Sequence, residues 1–166
     1  VIKLTKLYRQ NENSYIPILA GEIKDKDIDE HFINKKDDYN FILCDNTNII
    51  PSINFIIKKA LDKGYTDKEI QVLAPIYKSI NGIDNLNRNL QQIFNPKSPD
   101  KNELELSEVI YRKGDKVLQL ANDPDLNLSN GDIGYILDIT KKDKTSSKKD
   151  EILIDFDGNK VVYTKE

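Results

Sequence analysis

Glu151-Ile152-Leu153-Ile154-Asp155-Phe156-Asp157-Gly158-Asn159-Lys160-Val161-Val162-Tyr163 reads as two short strands joined by a tight turn. Asp-Gly between alternating apolar runs is a strong hairpin signal, because a two-residue turn needs positive φ at both positions and these residues accept it cheaply. Toward the amino terminus the pattern repeats. Residues 133–139, 116–120 and 109–111 are further apolar runs, set off by Asn130-Gly131-Asp132 and Lys113-Gly114-Asp115. Five short strands between residues 109 and 166 fit a small closed barrel, which leaves no long sheet edge open.

Upstream of this region the period changes. Pro96, Ser98, Pro99, Asp100 and Asn102 predict a linker over 96–108 that no helix crosses. Before it, residues 2–8 alternate apolar and polar as a half-buried strand does, and Arg9 and Gln10 stand at its carboxyl end. Ser14 is placed to cap a helix carrying Ile16, Leu19, Ala20 and Ile23 on one face, with Pro17 tolerated in the first turn. Residues 39–44 and 70–74 are short apolar runs typical of buried strands. The first is followed by a helical pattern over 52–63 that Gly64 closes; the second is followed by Ile83, Leu86, Leu90, Ile93 and Phe94 at helical spacing. Three strand–helix units in succession predict an α/β lobe with a parallel sheet over 1–95, followed by an all-β lobe over 109–166.

Composition narrows the function classes. With 38% hydrophobic and 32% charged residues the chain is a globular protein, and lysines interrupt its longest apolar stretch, so no membrane span is expected. A net charge of −3 gives no bulk basic character, so any nucleic-acid contact has to come from a local patch. One cysteine, Cys44, excludes an internal disulfide, and one histidine, His31, leaves a metal centre without its usual ligands; the first reads as a buried thiol, the second as a loop residue. The charged runs at 24–29 and 141–151 read as solvated faces. A start at Val1 and no methionine anywhere suggest an excised piece of a longer protein, and the lone cysteine suggests a reducing, cytoplasmic setting.

Several stretches together are similar to a known family. Lys3-Leu4-Thr5-Lys6-Leu7-Tyr8-Arg9-Gln10 resembles motif IV of superfamily 1 DNA helicases of the RecD/TraA type, which include the exodeoxyribonuclease V alpha subunit. Gln71-Val72-Leu73-Ala74-Pro75-Ile76-Tyr77-Lys78, with Gly82-Ile83-Asp84-Asn85-Leu86-Asn87, resembles the next stretch of that family. Arg112-Lys113-Gly114-Asp115-Lys116-Val117, Asn122-Asp123-Pro124 and Asn130-Gly131-Asp132-Ile133-Gly134 resemble its inserted SH3-like domain.

The resemblance implies part of a second RecA-like motor domain followed by an SH3-like barrel, from a helicase that moves 5′ to 3′ on single-stranded DNA. ATP and Mg²⁺ would serve the intact parent, with no cofactor held tightly by this piece. No G-x-x-x-x-G-K-[ST] phosphate loop occurs in the sequence, so the piece alone should not turn over ATP. Its partners would be single-stranded DNA and the parent's first RecA-like domain, and an uncovered sheet edge could pair with a second copy.

The same resemblance makes Arg9 the catalytic arginine of the ATP cleft. A planar guanidinium suits two phosphate oxygens at once, although by residue type alone the stronger reading of Arg9 is one half of a surface ion pair. Gln10 could bond nucleotide phosphate or be an ordinary loop residue. Tyr77 and Lys78 follow a predicted strand, at the end where ligands gather in α/β sheets. They could stack on a base and hold phosphate, or be a packed tyrosine and a solvated lysine. Ser79-Ile80-Asn81 departs from the family's basic, glycine-rich run. Asn87 and Gln91, four apart on one helix, could reach DNA or cap a loop. A second reading, from another class, is a non-catalytic module in which the barrel binds nucleic acid or protein.

Overall fold

The computed structural model describes residues 13–164, and the chain divides into two compact units, Val1–Asn46 and Thr47–Glu166. The predicted strand at 2–8 lies outside the described residues. In the first unit, helix α1 (Tyr15–Asp25) begins as its sequence predicts. The Ser14 hydroxyl accepts from the Ile16 amide at 3.2 Å and donates to Asp38 at 2.5 Å. That donated bond holds the Asp38 carboxyl below its ordinary range. Tyr15 packs on Tyr39 and Phe32 on Phe41, with ring centroids 5.2 and 5.0 Å apart.

Residues 39–44, expected as a buried strand, form no ladder, and Leu43 is 87% exposed. Cys44, read as buried, is exposed. Residues 70–74 likewise run without strand partners, and Leu73 is also 87% exposed. The expected parallel sheet is therefore absent among the described residues, where every pairing is antiparallel. The physical reason is that an apolar run becomes a strand only when a neighbour takes its amide and carbonyl groups. The carbonyls of Asp67 and Ile70 are taken instead by the Lys116 ammonium, at 2.7 and 2.8 Å.

In the second unit, helix α2 (Ile49–Asp62) starts three residues before its predicted position, with Pro51 in the first turn, where its missing N–H costs nothing. It closes through Gly64, whose amide donates to Leu61 while that of Tyr65 donates to Ala60, so the last carbonyls are satisfied. Helix α3 (Ile83–Phe94) occupies the span its apolar face predicts and packs on α2. Ile57 and Leu86 are the buried residues of the two helices.

The remainder is β structure. A ribbon pairs β1 (Glu103–Leu106) with β2 (Val109–Arg112), and a four-stranded sheet runs β3 (Lys116–Leu118), β4 (Ile133–Thr140), β5 (Glu151–Phe156), β6 (Asn159–Thr164). The Asp157-Gly158 turn has φ of 51° and 92°, and Phe156 faces Asn159 across it, as the hairpin signal requires. β1 falls in the stretch read as linker. Its turn uses Ser107 and Glu108 at φ 49° and 70°, which neither residue type advertises. The expected single closed barrel is thus a sheet and a ribbon sharing one core: Leu104 joins Ile136, Ile139, Ile152, Ile154, Phe156 and Val161. On β5 buried and less buried positions alternate, the period-two pattern of the opening sequence.

A polar knot ties α3 to this β region. Arg112, 2% exposed, donates through Nε to Glu103 at 2.7 Å and through its terminal nitrogen to the Asn95 carbonyl. Asp115 accepts from Gln91 at 2.6 Å, Asn95 at 2.7 Å and the Arg112 amide at 2.7 Å. Gln91 also reaches the Ile110 carbonyl at 2.8 Å.

Tyr135 on β4 has the Asp67 carboxylate acting on its hydroxyl and the Lys68 ammonium 5.6 Å from its ring. Burial, and then the Asp67 charge, push its pKa up to about 12. A raised value means the folded state favours the neutral phenol, so the stabilisation is whole below pH 10 and is lost as pH climbs toward 12. Two pH units correspond to at most about 2.7 kcal/mol, and partial exposure discounts this to on the order of 1 kcal/mol. Urea titrations at pH 9 and pH 11.5 should show Tyr135→Phe losing less stability between them than the unaltered chain; equal losses would remove Tyr135 from the alkaline transition.

Candidate nucleic-acid interface

Residues 76–82 form a loop folded against the start of α3. The Ile83 and Asp84 amides donate to the Ile76 and Tyr77 carbonyls at 2.9 and 3.3 Å, so two otherwise unpaired helix donors are satisfied by the loop. The Asn85 side chain donates to the Ile80 carbonyl at 2.6 Å. Gly82 is required by close approach: a Cβ there would collide with the Tyr77 carbonyl and lie 2.8 Å from the Ser79 nitrogen.

This bracing holds an exposed tip. Tyr77 is 60% and Ile80 72% exposed, and Lys78 is exposed beside them. Asn87 is also exposed, one turn of α3 beyond Asp84, which bonds the Tyr77 carbonyl. The structure thus brings Tyr77 and Lys78 together on one loop and Asn87 onto the helix that supports it. An aromatic face and an ammonium on a supported loop can stack a base and attract a phosphate. Gln91, considered with Asn87 from their spacing, is committed to Asp115 and Ile110.

Arg9 and Gln10 lie outside the described residues, so no ATP site is tested by the geometry. Among the described residues no group of three His, Cys, Asp or Glu is placed to hold a metal ion, and no helix is long and apolar enough to cross a membrane. The sequence reading missed a cleft of about 460 Å³ that gathers Lys97 and Lys101 from the linker stretch with Lys141 and Lys144 from the charged run. No local signal could have found it, because the two pairs lie far apart in the chain and meet only when β1 and β4 fold onto one core.

Two comparisons bear on this geometry. The chain is 35% identical over 95 residues to the ATP-dependent RecD2 DNA helicase of Deinococcus radiodurans; the aligned stretch is 57% of this chain and spans 12% of that protein. Residues 86–156 match the family described as the SH3 domain of ATP-dependent RecD-like DNA helicases. The match begins at Leu86, inside α3, and takes in Gln91, Asn95, Arg112 and Asp115 of the polar knot. The resemblance to RecD-type DNA helicases drawn from the sequence is therefore supported, and residues 86–156 are similar to the SH3 domain of that family.

Proposed function

We propose that the chain is part of an ATP-dependent DNA helicase that moves 5′ to 3′ along single-stranded DNA in the cytoplasm. Residues preceding the matched stretch then come from its second RecA-like motor domain, and the end of α3 with the β region, including the 96–108 stretch first read as a linker, from the SH3-like insertion. The observation that carries this reading is the match of residues 86–156 to the SH3 domain of RecD-like helicases. In the intact parent, ATP with Mg²⁺ supplies the free energy that opens and closes the cleft between the two motor domains. Arg9 enters that cleft from the side opposite the first RecA-like domain, with Gln10 beside it. The chain alone turns over no ATP. The unpaired runs at 39–44 and 70–74, with Leu43 and Leu73 in water, suit pairing with further strands of the motor or with a second copy.

In this reading Tyr77 stacks on a DNA base while Lys78 and Asn87 contact the strand. Support comes from the exposure of all three and from the bracing of the loop on α3. Stacking is worth about 1–3 kcal/mol per base, so Tyr77→Ala should weaken single-strand binding by roughly 5- to 150-fold in a fluorescence anisotropy titration. Tyr77→Phe should keep most of the affinity. If alanine binds as tightly as tyrosine, the loop is not a DNA contact.

A further inference from the structure

The β4–β5 hairpin carries five lysines in residues 141–149, and its loop is held by its own hydrogen bonds. The Lys142 amide donates to Asp150 at 2.8 Å, Thr145 to the Lys149 carbonyl at 2.7 Å, and Ser147 to Glu151 at 2.6 Å. Asp150 and Glu151, which keep their charge, are thereby hydrogen-bonded within the hairpin. The side chains of Lys141 and Lys144 are exposed, and neither takes part in the ion pairs found among the described residues, Lys97–Glu103 and Arg112–Glu103.

The facing wall is the 97–102 stretch. Lys97 is paired with Glu103 at 2.7 Å, but Lys101 donates only to neutral oxygens, those of Asn95 at 2.5 Å and Pro96 at 3.2 Å. Asn102 pins the two walls together by donating to the Ile139 carbonyl at 2.9 Å. Four lysines against Glu103 and Asp138 leave the cleft lining at 4 − 2 = +2, on a chain whose net charge is −3. The lining contains no aromatic residue, so the cleft has nothing on which a base could stack. Ammonium groups with the Thr140 hydroxyl nearby are the donors a phosphate takes.

We propose that this cleft grips the phosphodiester backbone of a nucleic-acid strand, as a sequence-independent electrostatic contact separate from the Tyr77 loop. It shares with the preceding reading only the class of partner.

The test is anisotropy of a labelled oligothymidylate with this chain, titrated between roughly 50 and 200 mM salt, the range over which phosphate contacts are strongly screened. Lys141→Gln/Lys144→Gln should lower affinity about tenfold at the low end and make the slope of log K against log salt shallower by about 1.4. Both positions are exposed, and an unchanged thermal melt by circular dichroism confirms that the variant folds. Tyr77→Ala should lower affinity with the slope retained, which separates failure of the loop from failure of the cleft. A double variant with the unaltered slope overturns the proposal, as does a chain that binds no oligonucleotide at low salt. Poly-glutamate bound as tightly, with the same loss in the double variant, would reassign the cleft to an acidic protein partner.

Discussion

Arg112→Ala should melt the β region more than 10 °C below the unaltered chain. The guanidinium is buried with Glu103 and the Asn95 carbonyl as its partners. Its deletion leaves a buried acceptor unpaired and a carboxylate, 20% exposed, with Lys97 alone. Breaking such a pair costs about 3–5 kcal/mol, and each kcal/mol is worth roughly 4 °C in a unit the size of Thr47–Glu166. Lysine should not rescue, since a single ammonium cannot serve both acceptors in the geometry of the fork. The pH dependence provides a second readout. Lys97, and then Arg112, hold the Glu103 pKa below its ordinary 4.5, so the stability it adds is present above that value and is lost as pH falls through the lowered one. The variant should lose less between pH 5 and pH 3 than the unaltered chain. A melt within a few degrees of the unaltered one would show that the knot orients α3 without stabilising the fold.

On the function proposed above, Arg9→Ala in the full-length parent is expected to slow ATP hydrolysis by about a thousandfold or more, equivalent to roughly 4 kcal/mol of transition-state stabilisation. Charge spreads over the transferring phosphoryl oxygens only as the reaction proceeds, so an arginine brought in by cleft closure acts on turnover far more than on nucleotide binding. The KM for ATP should move much less than kcat. Lysine should recover little, because it offers one point charge where two oxygens are presented. Stopped-flow or coupled-assay turnover with saturating single-stranded DNA decides it, and an unchanged kcat returns Arg9 to a surface ion pair.

The local elements were legible because their causes are local. Ser14 as a cap, the α3 apolar face, and the Asp157-Gly158 turn each act within one or two turns of chain, and each holds in the structure. The apolar runs at 39–44 and 70–74 were misread for the opposite reason. Their composition suits a strand, but a strand is a pairing, and no described segment pairs with them. β1 was missed because its turn is formed by Ser107 and Glu108 in a left-handed conformation that the fold imposes at some cost.

For the candidate sites the division follows the same line. The sequence by itself singled out candidates for the chemistry, Arg9, Tyr77 and Lys78 among them, and the family that the β region resembles, since motifs and turn chemistry are written in order along the chain. Only tertiary structure decided that Gln91 bonds the β region rather than facing solvent, and that Arg112 is buried. Tertiary structure likewise joined Lys97 and Lys101 to Lys141 and Lys144 in one cleft. Those outcomes depend on contacts between segments far apart in the chain, and burial and charge proximity are properties of packing, which no local spacing encodes.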